Sequence, residues 1–439
     1  LEDDHEEEAV PQAPPPESPP PEQAPEPPEE LTSDLGNGWV QLTWSPNTEE
    51  DVVHYNIYRG DEDQQDVIDY TVHPETGYLD TAVINGTTYF YAVTALDTAG
   101  NESDFSDMVS ATPRGPMALH VSVDGDDDAG DGSEENPFAT IQKGIDETLT
   151  EDTVLVHPGT YAENIDFTGK AIAVISSSGT DATTIDGGDM GSVVAFQSGE
   201  NQLSLLAGFT ITGGDAEQGG GIYCSGSSPR LEHLAVKGNL ADYGGGLYFN
   251  NSDPQLKRVV ASGNRALESG GGVYLLESAP AFFNVTVTAN MGIVGGGIFI
   301  TNSVETDTVE LINSILWAND NSQVSFGSYG IVHFNYTVIQ DGIDGVNNIY
   351  NYGVVVPASN ILPDSPLFVE PYYPNWYDPP SNDGDFHLTS ISPCIDGGNP
   401  DTDNDGVEWS DDPDDQDPDF TRIDIVRFRF NIHKNRFSS

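Results

Sequence analysis

Three groups of residues in this 439-residue chain have types and spacing suited to chemistry. Asp401, Asp403, Asp405 and Asp412, with Gly406 between them, follow the one-three-five-twelve spacing of a calcium loop, in which the Val407 carbonyl supplies a further oxygen. Alternate carboxylates at that spacing converge on one hard cation, so Ca²⁺ is the expected cofactor. The competing reading is a disordered acidic turn, because Pro413 follows at once and no flanking helices are evident. Glu163, Asp166 and Lys170 are close enough in sequence to surround one site, with Lys170 as a base and the carboxylates as partners. The competing reading is that all three are ordinary turn residues, since charged side chains are usually solvated. Tyr223, Tyr248, Tyr274 and Phe299 recur at near-constant spacing and would stack as a ladder or serve as a ligand platform for sugar faces.

The elements that must position these residues are set by a repeat. Gly-Gly-Gly triplets begin at Gly219, Gly244, Gly270 and Gly295, and each is followed by an aliphatic residue and an aromatic one. Pro229, Pro254 and Pro280 keep the same beat, as do Asn239, Asn264, Asn290 and Asn319. A period of this length with short β runs and no helical stretch means one stacked coil per repeat. Within a repeat the strand alternates, so Ile222, Leu247, Val273 and Ile298 form one inward column and Leu231, Leu256 and Phe282 another. Each repeated Asn is expected to sit in the left-handed region and bond its neighbour's backbone.

These triplets and Asn corners resemble the repeats of the pectin-lyase-like superfamily, right-handed parallel β-helices found in exported bacterial proteins. The resemblance covers residues 117–400. It implies a fold and leaves activity open, because that fold carries lyases, hydrolases, esterases and inert adhesins. Residues 36–114 resemble a fibronectin type III domain. Trp44 takes the place of the core tryptophan, and Asn85-Gly86-Thr87-Thr88-Tyr89 that of the tyrosine corner. Residues 1–35 are rich in Pro and Glu, without Lys or Arg, and read as a disordered linker. Residues 401–439 form the acidic, calcium-loop-like tail and an irregular C-terminus. The fold class is therefore all-β, a β-sandwich followed by a parallel β-helix solenoid.

Between sandwich and solenoid, Asn136 and Pro137 suit a helix start, and Phe138, Ile141, Ile145 and Leu149 then make one apolar stripe. This helix is expected to plug the open end of the first coil, which would otherwise expose strand edges.

Charge narrows the function. The chain has 73 Asp and Glu against 14 Lys and Arg, a net charge of −59, which excludes nucleic acid as a partner. No apolar run is long enough to insert in a membrane. Two cysteines, Cys224 and Cys394, make no disulfide framework, and Cys224 falls on an inward position. The outward columns of the clearest coils stack aromatics, hydroxyls, amides and aliphatics, and no acids. Uronate elimination needs a charge sink and a base. The expectation is a non-catalytic, monomeric protein, secreted or on a bacterial surface, that binds polysaccharide or a cell-surface glycan. The alternative is a polysaccharide lyase or glycoside hydrolase acting on acidic polysaccharide.

Overall fold

A computed structural model describes residues 23–304, 307–348, 353–357, 365, 366, 368–370 and 385–388. The chain divides into two compact units, with the boundary in sequence between Gly115 and Pro116.

The first unit is a seven-stranded antiparallel sandwich: β1 (Thr32–Gly36), β2 (Trp39–Thr43), β3 (Val52–Gly60), β4 (Gln65–Val72), β5 (Gly77–Asp80), β6 (Tyr89–Asp97) and β7 (Val109–Ala111). Strands β1, β2 and β5 form one sheet, and β4, β3, β6 and β7 the other. Alternation decides what is inside: Val40, Leu42, Tyr55, Ile57, Tyr91 and Val93 point inward and are fully buried. Trp44 is buried as expected and packs edge-on against Tyr55, with ring centroids 5.4 Å apart. The tyrosine corner is present, since the Ile84 N–H donates to the Tyr89 hydroxyl at 3.1 Å. The boundary placed at residue 35 is corrected. Leu31 is buried in this core, Ser45 N–H bonds the Glu29 carbonyl, and β1 pairs along its whole length with β2. A Pro-rich approach does not prevent pairing when the donors it lacks would face away from the sheet.

The second unit is a parallel β-solenoid. Among the described residues its largest sheet holds sixteen strands, ten of them stacked in one long ladder, while a second sheet stacks eight and a third four. The register follows the repeat: Ile222, Leu247, Val273 and Ile298 are direct neighbours in successive coils. Leu231, Leu256 and Phe282 likewise stack, and both columns are fully buried. Gly219, Gly244, Gly270 and Gly295 have φ of 63–71° and turn the chain between two sheets. At the next position a side chain cannot fit: a Cβ on Gly220 would lie 2.3 Å from the Leu240 carbonyl oxygen of the following coil.

The Asn corner forms the ladder anticipated, by a different backbone route. Asn239, Asn264, Asn290 and Asn319 are buried, and none has positive φ. The left-handed residue is the one before each of them, Gly238, Gly263, Ala289 and Ala318, with φ of 55–69°. That residue makes the turn, so each Asn side chain points along the solenoid axis. Asn264 Oδ1 accepts from Asn239 N at 3.1 Å and from Asn239 Nδ2 at 3.0 Å, while Asn264 Nδ2 donates to Asn290 Oδ1 at 3.0 Å and to the Val236 carbonyl at 2.9 Å.

The helix is shorter than expected. Residues 136–140 are not helical, because Phe138 is held by a backbone bridge to Val121, its N–H bonding the His120 carbonyl. Helix α1 (Ile141–Glu147) starts at N-cap Thr140, whose hydroxyl accepts from Lys143 N–H. Ile141 and Ile145 are buried, and Gly144 lies so close to Val121 and Val154 that a Cβ would come within 2.8 Å of both. The helix therefore seals the interior against the first strand of the long ladder, Ala118–Val121, and the strand stacked on it, Thr153–Val156.

Candidate functional site

The residues nominated for catalysis cluster around α1, and their bonds define their role. Glu163 carboxylate oxygens accept from Ile141 N at 2.8 Å and from Gln142 N at 3.0 Å. Asp127 accepts from Ala139 N at 2.7 Å, Thr140 N at 3.0 Å and the Thr140 hydroxyl at 2.8 Å. These carboxylates satisfy the orphan donors at the start of the helix and oppose its positive end. Lys170 does the converse. Its Nζ donates to the carbonyls of Ile145 and Asp146 at 2.8 Å and of Thr148 at 3.0 Å, so all three ammonium protons are engaged at the helix C-terminus. Burial lifts the Glu163 carboxyl above its ordinary value against the pull of its two N–H partners, and burial lowers Lys170. Asp166 is held by Thr168 N at 2.7 Å and by the Gln197 amide at 2.7 Å. The structure thus brings Glu163 and Lys170 to one element, at its opposite ends, and engages all three residues in structural bonds. A base must offer a free lone pair to a substrate proton, and Lys170 in this arrangement offers none.

The aromatic column stacks as expected. Centroids of Tyr223 and Tyr248 are 5.8 Å apart, of Tyr248 and Tyr274 5.2 Å, and of Tyr274 and Phe299 5.2 Å, with interplanar angles of 12°, 12° and 27°. Its geometry favours the ladder over the platform. The rings turn their faces to one another, so a pyranose has no ring face to lie on inside the column. Tyr248 and Phe299 are buried, and Tyr243 packs edge-on against Tyr274. Burial pushes the Tyr248 hydroxyl up to about 12. Such stacking is what a stabilising ladder of aromatic rings requires.

Cys224 is a buried free thiol whose sulfur donates to the Ser227 carbonyl, and burial pushes it up to about 12. Asp401, Asp403, Asp405, Val407, Asp412 and Cys394 lie outside the described residues. Among the described residues, no three His, Cys, Asp or Glu side chains converge as metal ligands. No described helix is long and apolar enough to cross a membrane.

Two polar systems were missed in the sequence. Ser227 N donates to Ser252 Oγ at 3.2 Å, Ser252 N to Ser278 Oγ at 3.1 Å, and Ser278 N to Asn302 Oδ1 at 3.2 Å. This second ladder ends on buried Glu200, which accepts from Ser227 Oγ at 2.7 Å and from the N–H groups of Gly169 and Ser198. Its signal was available, since each serine stands two residues before a repeated proline. The other system is on the sandwich. Glu102 Oε1 accepts from Asn56 Nδ2 at 2.8 Å, from the Tyr58 hydroxyl at 2.8 Å and from the Thr94 hydroxyl at 2.5 Å. Sequence reasoning saw Glu102 only as part of a hairpin, because its partners lie on distant strands.

No family model matches the chain. It is 41% identical over 101 residues to an amylopullulanase of Thermoanaerobacter thermohydrosulfuricus, a match covering 21% of this chain and 6% of that protein. It is 36% identical over 96 residues to an amylopullulanase of Thermoanaerobacterium saccharolyticum, covering 21% of this chain and 7% of the other. The chain therefore spans well under a tenth of the length of these curated relatives. Among solved structures it is similar to an Fn3-like protein from Clostridium thermocellum, with 28% identity over 21% of this chain and 96% of that one and a TM-score of 0.18. A β-1,2-glucanase from Parabacteroides distasonis shows 29% identity over 21% of this chain and 12% of that one, with a TM-score of 0.18.

Proposed function

We propose that the chain is a carbohydrate-associated modular protein, exported to the bacterial surface or medium, whose solenoid is a rigid, non-catalytic rod of the pectin-lyase-like kind. The carbohydrate reading is carried by the 41% identity to an amylopullulanase. The non-catalytic reading is supported by Lys170, whose ammonium protons are all committed to helix carbonyls. The strongly acidic composition favours neutral glycans over polyanions unless a cation bridges them. The loop of Asp401, Asp403, Asp405, Val407 and Asp412 would supply such a Ca²⁺ site.

Affinity electrophoresis of the full chain through gels containing pullulan, amylose, mixed-linkage β-glucan or pectate tests the reading. Retardation by at least one polysaccharide is expected. Equal mobility in every gel contradicts it.

A further inference from the structure

The outer face of the β4-β3-β6-β7 sheet carries an unexplained surface. Registry places Tyr70, Asn56 and Thr94 in one row and Val67, Tyr58 and Ala92 in the next. Outward residues of a sandwich sheet are ordinarily polar, yet here large apolar groups are open. Val67, Tyr70 and Val72 on β4 are 54–61% exposed, and Phe105, in the loop after β6, is 52% exposed. Phe105 is not loose. Its ring packs edge-on against Tyr58 with centroids 4.8 Å apart. A contiguous apolar patch ringed by polar groups marks an interaction site.

The polar groups within the patch are fixed in advance. Glu102 Oε1 gathers all three bonds from Asn56, Tyr58 and Thr94, and among the described residues none donates to Oε2. Although burial opposes ionisation, these donors hold the Glu102 carboxyl below its ordinary value. Since the Tyr58 and Thr94 hydroxyls spend their protons on Glu102, they turn only lone pairs to a ligand. The site is therefore rich in acceptors, held rigidly, beside exposed aromatic rings.

We propose that this face is a glycan-binding site, taking a neutral polysaccharide chain across the strands. The Phe105 and Tyr70 rings would receive the C–H faces of sugar rings, and Glu102 Oε2 would accept from sugar hydroxyls. Charge repulsion excludes the polyanionic class, because an exposed carboxylate on a chain of net charge −59 repels polyanions. Exposed Asp104 and Asp107 flank Phe105, so a cationic peptide is the competing occupant; the exposed Phe105 and Tyr70 rings favour a sugar face, and poly-lysine in the test separates the two. The proposal rests on the carbohydrate reading above and assigns it to the sandwich.

The test is titration calorimetry of the full chain with pullulan, amylose, mixed-linkage β-glucan, pectate and poly-lysine, alongside Phe105→Ala, Tyr70→Ala and Glu102→Gln. At least one polysaccharide should bind. Each aromatic truncation should weaken it by about tenfold, and Glu102→Gln by roughly threefold or more. Raising salt from about 0.1 to about 1 M should leave the affinity within about twofold, as a neutral ligand requires. The truncated side chains are largely exposed, so unchanged melting of each variant separates lost binding from lost folding. Wild-type affinity in Phe105→Ala and Tyr70→Ala overturns this inference alone. Binding to none of the neutral polysaccharides, with salt-sensitive binding of poly-lysine that Phe105→Ala weakens, also overturns it. Failure to bind any polysaccharide, pectate included, overturns the carbohydrate reading as well.

Discussion

Glu163 and Lys170 grip opposite ends of the same helix: Glu163 accepts from the N–H of Ile141 and Gln142, and Lys170 donates to the carbonyls of Ile145, Asp146 and Thr148. Opposite charges thus oppose the two ends of the macrodipole. Seven residues are too few for a helix to persist alone, so this clamp and the apolar face of Ile141 and Ile145 must hold it. Lys170→Met should destabilise the solenoid by about 1–3 kcal/mol, since three carbonyls lose a charged donor. Lys143→Met removes a surface partner of Glu147 and should shift the midpoint far less. Urea unfolding of both variants checks the contrast, and equal midpoints would dismiss the clamp.

Asn264 holds four side-chain bonds in a buried ladder. Asn264→Ala should cost about 3 kcal/mol, because the Val236 carbonyl and the Asn239 N–H lose partners where water cannot replace them. Asn264→Asp should cost at least as much, since a carboxylate sets an acceptor against the Asn290 amide oxygen and cannot donate to Val236. Thermal melting of the two variants gives the comparison. A loss smaller than about 1 kcal/mol in both would remove the ladder from the forces that fix coil spacing.

Ala318 sits at φ 57°, where the first two of its three earlier equivalents are Gly238 and Gly263. A Cβ in the left-handed region costs about 1–2 kcal/mol, part of which glycine returns to the unfolded chain as entropy. Ala318→Gly should therefore stabilise the protein by roughly 0.5–1 kcal/mol, and Gly263→Ala should destabilise it by a similar or larger amount. If Ala318→Gly lowers the melting temperature, strain at this corner is relieved in some other way.

The repeat made the coil legible because three corners agreed independently. Stacking in a solenoid depends on neighbours at a fixed sequence distance, so the columns at Ile222 and Leu231 were readable from the spacing alone. The Asn corner was misread by one residue. Glycine before Asn239 and Asn264 hinted at the turn, but alanine before Asn290 and Asn319 hid it. Glu163, Lys170 and Glu102 were legible only as charges. Their partners lie on elements whose placement comes from packing, which no local pattern records. The same limit applies to the aromatic column: its spacing predicts stacking, and only geometry shows that stacking consumes the ring faces.

The Asp401–Asp412 loop is proposed from spacing alone. Calorimetric titration of the full chain with Ca²⁺ should show binding that Asp403→Ala and Asp405→Ala weaken strongly, because a hard cation needs several converging oxygens. Binding indifferent to both changes would reduce the loop to an acidic turn.

We propose that the solenoid is non-catalytic, because Lys170, the base nominated from the sequence, is spent on a helix. The direct measurement is release of unsaturated uronate from pectate and alginate by the full chain, with and without Ca²⁺, followed by ultraviolet absorbance. No product above the rate of a heat-denatured control is predicted. Product that accumulates with the native chain and disappears in Lys170→Ala, while Lys170→Ala remains folded by circular dichroism, would contradict the account and make Lys170 a catalytic base.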